Sequence, residues 1–349
     1  MTKSKTLVIG DRSIGPGHPC YLIVEVGTTC LGDIDHALAL VEAGAAAGVD
    51  AVKFQVIDPD QISDPAVTYT YRSGGETFEA NMKEMFSRLA FSEAEWQRIA
   101  DHCAAHGVHF FATVDYPAGV DLLDRLGAPA HKLGAWDATY KELIEKVGAT
   151  GKPTFVDLGP ATEQEVAQMA QWFQEAGGSS LIFLHDYHTS EPSQMNMRAV
   201  QFLDQTYPWP VGYSSPGLDH DLDFLALGLG ATCLEKRLIL SRQQRAFHAD
   251  ESLEPDELKD WVARIRRAEA SLGTVAIRPS DKDLADARKY YRSLCTLTEV
   301  KAGEAFTADN LGAKRPADGL APARLTEFLG RRAARDLPLN TLIGETDAE

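Results

Sequence analysis

The chain lacks any apolar run long enough to span a bilayer. It also lacks basic surplus: 34 Lys and Arg stand against 51 Asp and Glu, a formal net charge of −17. That balance excludes broad binding to nucleic acid or anionic membranes, which needs basic surface. Cysteine is scarce, with Cys20, Cys30, Cys103, Cys233 and Cys295 scattered and no CxxC pair. An odd, unclustered set fits reduced thiols better than disulfides or a structural zinc site. The opening residues carry basic side chains but no long apolar stretch and no small-residue cleavage site, so the expected location is the cytoplasm. With 349 residues there is chain enough for one full barrel and a small extra domain.

What is present is an alternation. Short β-branched runs at Tyr21–Val26, Ala51–Gln55, His109–Ala112, Ala130–Leu133, Thr154–Asp157, Leu181–His185, Val211–Ser214 and Cys233–Leu238 are separated by amphipathic segments of helical length. Eight strands each followed by a helix predict an α/β fold, a (β/α)8 TIM barrel. A doubly wound open sheet is the alternative, because alternation alone does not prove closure. The barrel is expected over residues 1–275, with Leu7–Pro19 as a hairpin over its N-terminal end. Residues Asp58–Met85 form a polar insertion after the second strand, either a lid or a surface excursion. A charged linker is expected over residues 276–290, and a small β-rich domain over residues 291–349.

In a barrel, side chains at the C-terminal strand ends converge on one site. Those ends hold Glu25, Lys53 with Gln55, Thr113 with Asp115, Lys132 with Asp137, and Asp157. The later strands add His185 with Asp186 and His188, Ser214 with Ser215, and Glu235, Lys236 and Arg237. Charged groups are seldom buried unless paired, so rim ion pairs account for some members, but a functional site accounts better for the set. Lys53, Lys132, Lys236 and Arg237 suit an anionic substrate. Glu25 and Asp137 are candidate acid–base groups, and a lysine here is also a candidate for imine formation with a carbonyl substrate. His185 and His188 near Asp157 are either metal ligands or structural histidines, and the structural reading is preferred.

These segments resemble the sialic acid (N-acetylneuraminate) synthases and related nonulosonic acid synthases. YLIVEVGTTCLGDIDHALALVEAGAAAGVDAVKFQ is similar to the family's opening strand, helix and Lys-Phe-Gln motif. HKLGAWDATYKELIEKVGATGKPTFVDLGPATEQEV resembles its central segment, and VGYSSPGLDHDLDFLALGLGATCLEKRL with SLEPDEL resembles its end. YRSLCTLTEVKAGEAFTADNLGAKRPADGLAP is similar to the antifreeze-like (SAF) domain that follows the barrel in such enzymes. The resemblance implies condensation of phosphoenolpyruvate with an N-acyl sugar aldehyde, a divalent metal and a domain-swapped homodimer. It places Glu25, Lys53, Thr113, Lys132, Asp137 and Ser214 on active-site positions, and Arg315 on the arginine extended into the partner's barrel.

The departures are as specific as the matches. Pro216 and Arg237 stand where the family has its two metal-binding histidines, and neither side chain can ligate a cation. Thr29-Cys30 replaces an Asn-His pair, Ala135 and Asp157 replace two phosphate-holding serines, and Glu191-Pro192 replaces a sugar-contacting Tyr-Pro. The expectation is an enzyme that needs no cofactor and makes or breaks a carbon–carbon bond. Its substrates would be a small 2-oxo acid or enolpyruvyl donor and a sugar-like or nucleoside-like aldehyde. Lys53, Lys132, Glu25, Asp137 and Arg237 are expected to be catalytic. Gln55, Thr113, Asp157, His185, His188, Ser214, Lys236 and Arg315 are expected to bind substrate. The alternatives are a phosphoenolpyruvate-dependent synthase with phosphate held by Lys132, Ser214, Lys236 and Arg237, and a non-catalytic binding module.

Overall fold

A computed structural model describes residues 5–349 except Ser190 and Pro216. Eight parallel strands close into a barrel: β1 (Tyr21–Glu25), β2 (Ala51–Val56), β3 (His109–Val114), β4 (His131–Leu133), β5 (Thr154–Asp157), β6 (Leu181–His185), β7 (Val211–Ser214) and β8 (Cys233–Arg237). Each strand pairs with the next in sequence and β8 pairs with β1, so the sheet has no open edge. The open doubly wound alternative is thereby ruled out.

The helices α1 (Ile34–Ala47), α2 (Glu93–Ala105), α3 (Pro117–Arg125), α4 (Lys141–Ala149), α5 (Glu163–Glu175), α6 (Arg198–Thr206), α7 (Asp221–Gly228) and α8 (Pro255–Leu272) follow the strands in turn. Their starts are written in the sequence. Ser92 with Glu95, and Thr162 with Glu165, form reciprocal capping boxes at α2 and α5. Each helix lays an apolar stripe on the strands, as α2 does with Trp96, Ile99 and Cys103. All five cysteines are free and buried. No helix among the described residues is long and apolar enough to cross a membrane.

Strand residues alternate between the barrel interior and the helix layer. Tyr21, Phe111 and Phe155 stack inside, with ring centroids 6.0 Å (Tyr21–Phe155) and 5.1 Å (Phe111–Phe155) apart, and form an apolar floor. The same strands deliver Glu25, Thr113 and Asp157 further towards their C-terminal ends, and the strands between them, β2 and β4, add Lys53 and Lys132. At the other end a hairpin, Leu7–Ile9 with Arg12–Ile14, is anchored by Arg12 to Asp50 and to the Gly107 carbonyl (2.9 Å).

The 58–85 insertion contains regular secondary structure. Thr68–Ser73 and Glu76–Asn81 form an antiparallel hairpin around Gly74 and Gly75, both with positive φ. Its tip is tied to the loop after β8, where Asp250 accepts from the Gly74 and Gly75 amides (2.7 and 3.1 Å). Phe247 packs on Tyr69 and Tyr71, and Arg245 stacks on Phe78 at 3.7 Å.

The chain divides into two compact units, Met1–Gly273 and Thr274–Glu349. Within the second, part of the expected linker is a helix, Asp281–Tyr290, and Ser293–Thr296 pairs antiparallel with Leu311–Lys314. Leu294, Val300, Phe306, Leu311, Phe328, Leu337 and Ile343 make its own small core. Arg315 lies in this unit, its Nε donating to the Tyr290 carbonyl at 2.7 Å.

Candidate active site

A continuous chain of buried charge crosses the C-terminal end of the barrel. Lys53 on β2 reaches Thr113 Oγ1 (3.1 Å) and Glu235 Oε1 (3.3 Å). Glu235 on β8 offers its other oxygen to Lys132 on β4 at 2.9 Å, and Lys132 also meets Asp157 on β5 at 2.8 Å. Lys132 is 0% exposed, so its charge persists only because two carboxylates flank it. Burial alone would push the Lys132 ammonium down; Asp157 and Glu235 together raise it above the ordinary lysine value. A lysine held protonated in this way is a poor imine nucleophile. Burial would raise Glu235, but the two lysines hold it below the usual carboxylate range.

Asp157 behaves differently. Burial pushes it up to about 7; Lys132 opposes this, and Asp186 and Glu235 add to it. At the Lys53 end of the chain, Asp115 and Asp137 approach each other across Gly134, where a Cβ would stand 3.3 Å from Asp137 Oδ2 and 3.5 Å from Asp115 Oδ1. Burial raises Asp115 to about 6, against the Asp137 hydrogen bond and Lys53. Burial and then the Asp115 charge raise Asp137 to about 8. Two carboxyls this close share one proton near neutral pH. Glu25 accepts from the Gly27 amide with Oε1 (2.7 Å), while its Oε2 is buried with no partner.

The rim is aromatic and basic. Arg237 pairs with Glu251 at 3.3 Å. His188 lies 3.0 Å from Asp186, whose hydrogen bond raises the imidazole, and its ring is 5.2 Å from Trp136. Trp136 is 67% exposed, an unusual state for so large an apolar side chain. Gln55 and Thr113 face each other in register on β2 and β3, as Ser214 and Glu235 do on β7 and β8.

Two expectations need correction. Lys236 does not join the mouth: strand alternation turns it outwards, where it donates to Ser215 Oγ (2.7 Å) and the carbonyls of Gly217 (2.7 Å) and Asp219 (2.8 Å) and pairs with Asp223 (3.1 Å). His185 also faces the helix layer. Its Nε2 is 2.7 Å from the Met195 carbonyl, and it lines an outer cavity of about 330 Å³ with Phe202 and Leu203 of α6. Pro216 lies outside the described residues. Thr29 and Cys30 bond to the Leu238 and Gly27 carbonyls and are structural.

Glu235, Asp115 and Asp186 stood among the strand ends without an assigned role, and the structure places all three in the site. His248 was missed. It sits on the loop after β8 with φ 65°, in the left-handed region, and its Nδ1 is buried without a partner. Burial, and then Arg237, His188 and Lys53, push it well below the ordinary imidazole range. No periodicity flags a loop histidine; the nearest signal was its place just before the SLEPDEL segment.

Among the described residues no three His, Cys, Asp or Glu side chains at the mouth bring ligand atoms within 4.8 Å of one another, and the Arg237 guanidinium offers no acceptor to a cation.

Comparison with known proteins agrees with this architecture. The NeuB family pattern matches residues 40–276 and the SAF domain pattern residues 291–349. An uncharacterized protein from Methanocaldococcus jannaschii is 31% identical, with 94% of each chain covered. A pseudaminic acid synthase from Campylobacter jejuni is 28% identical over 94% of this chain and 96% of its own. Among solved structures, a sialic acid synthetase from Leptospira borgpetersenii in complex with citrate superposes with a TM-score of 0.73 at 23% identity, covering 81% of this chain and 95% of the other. A β/α barrel followed by a SAF domain thus matches in pattern and order, and the chain belongs to the NeuB family.

Proposed function

We propose that this protein makes or breaks a carbon–carbon bond between a small 2-oxo acid or enolpyruvyl donor and a sugar-like aldehyde, without the divalent metal of its relatives. The observation that carries the reading is the buried Lys53–Glu235–Lys132–Asp157 chain beside the proton-sharing Asp115–Asp137 pair. It supplies fixed positive charge for a carboxylate and a carboxyl that still holds a proton at neutral pH.

In the bond-forming direction, Lys53 and Arg237 orient the donor carboxylate. With a 2-oxo acid as donor, the unpartnered Glu25 oxygen takes a proton from its C3, and the resulting enolate attacks the aldehyde carbon. The carbonyl π pair becomes an alkoxide, to which Asp137 delivers its proton. Arg237 stabilises the developing charge where relatives place a histidine. The exposed Trp136 face offers a platform for the sugar-like ring. Arg315, supplied by a second subunit of a homodimer, closes the site.

A second reading has specific support. Burial pushes Asp157 up to about 7, so when a phosphate enters, Asp157 can take up a proton and donate to it, with Glu235 left as the carboxylate that pairs Lys132; this keeps phosphoenolpyruvate open as donor. That phosphate site lacks Lys236, which faces the other way.

The test is incubation of metal-stripped protein with pyruvate or phosphoenolpyruvate and a panel of N-acyl hexosamines, read by product mass and phosphate release. Product formed in the presence of EDTA supports the metal-free reading. Activity abolished by EDTA and restored by a divalent metal overturns it. Release of phosphate stoichiometric with product selects the second reading.

A further inference from the structure

The outer flank of the barrel carries a ligand cluster that the mouth does not use. His102 and His106 are four residues apart on and just past α2, so both imidazoles leave the same helix face. Their ring centroids are 4.3 Å apart. Helix α1 packs alongside and brings Glu42 Oε1 to 3.2 Å from His102 Nε2. One ligand atom from each of the three side chains lies within 4.8 Å of the other two. Donors on a tetrahedral ion with bonds of 2.0–2.1 Å stand about 3.4 Å apart. The Glu42–His102 edge already has that spacing.

A second observation points to a ligand. His106 Nδ1 lies 3.0 Å from the His102 carbonyl oxygen. A carbonyl only accepts, so Nδ1 carries the hydrogen and Nε2 keeps a free lone pair. Metal-binding histidines are commonly oriented by a backbone carbonyl in this way. Two imidazoles with one carboxylate select a borderline transition ion over magnesium or calcium, which take all-oxygen sets.

We propose that Glu42, His102 and His106 form a surface site for a divalent ion of the zinc class, with water in the fourth position. The residues following His106 lead directly into β3, so the site lies towards the end of the barrel opposite the mouth. It is independent of the reaction proposed above. The ion would cross-link α1 to α2 and stabilise the fold by mass action.

The experiment is calorimetric titration of the full-length, EDTA-treated and dialysed protein with Zn²⁺ at neutral pH, with thermal denaturation in parallel. One equivalent should bind and raise the melting temperature. His106→Ala and His102→Ala should each weaken binding by about tenfold or more and abolish the thermal shift, with unchanged circular dichroism. His188→Ala and His248→Ala, at the mouth, should leave binding intact. No binding by the wild-type protein, undiminished binding in both flank variants, or loss of binding in a mouth variant instead would overturn the assignment.

Discussion

Two buried lysines on the strands of one barrel have opposite surroundings. Lys132 points inwards to Asp157 and Glu235, next to carboxyls that keep unpaired oxygens or spare protons. Lys236 points outwards into a closed shell of Ser215, the Gly217 and Asp219 carbonyls and Asp223, and Asp223 is in turn held by Trp261 of α8. Burial pushes Lys236 down, whereas the two carboxylates prevail over burial at Lys132. A buried charge is therefore no sign of chemistry in itself. The inner cluster has capacity left for a ligand, while the Lys236 ammonium has its donors fully used.

The largest effect that sharpens this contrast is on turnover. Asp137→Asn should cut the carbon–carbon bond-forming rate by roughly 10²–10⁴-fold, the usual range for a lost general acid, with the fold intact. A rate within a few-fold of wild type would break the inner half of the comparison. On the outer wall, Lys236→Met leaves Asp223 buried without its cation and should cost about 3–5 kcal/mol by urea denaturation. A loss under about 1 kcal/mol would show that this shell is not structural.

The smallest effect is a slope. Burial and the Asp115 charge push Asp137 up to about 8 from an ordinary carboxyl value of 3.8, so in the folded state the pair binds an extra proton across that window. Stability from this group is complete below pH 4 and is lost as pH rises through 8, by at most about 1.4 kcal/mol per pH unit. Asp137→Asn mimics the protonated form. Its stability should fall less than that of wild type between pH 6 and 8, as followed by denaturation midpoints. Identical slopes would remove Asp137 as the proton holder.

Much of the fold is readable in the sequence because a parallel barrel repeats one unit. Strand runs at regular spacing, each ending in a polar side chain, place Glu25, Lys53, Thr113, Lys132 and Asp157 on a common rim. The insertion was less legible, although Thr-Tyr-Thr-Tyr-Arg-Ser, Gly-Gly and Glu-Thr-Phe-Glu-Ala alternate as a hairpin does. Its aromatics are matched by Phe247, a residue distant in the chain, so local pattern alone could not say where it docks.

By itself, then, the sequence determined the order of strands and helices, the SAF-like tail and the chemical types gathered at the strand ends, since these follow from local periodicity and motif. Tertiary structure decided which of three consecutive residues, Glu235, Lys236 and Arg237, face inwards, which carboxylate each lysine meets, and how His248 arrives from a loop. Those depend on the phase of a two-residue alternation and on through-space electrostatics between residues about a hundred apart, as Lys132 and Glu235 are. A one-residue change of phase exchanges interior for helix layer, and nothing local in the chain records it.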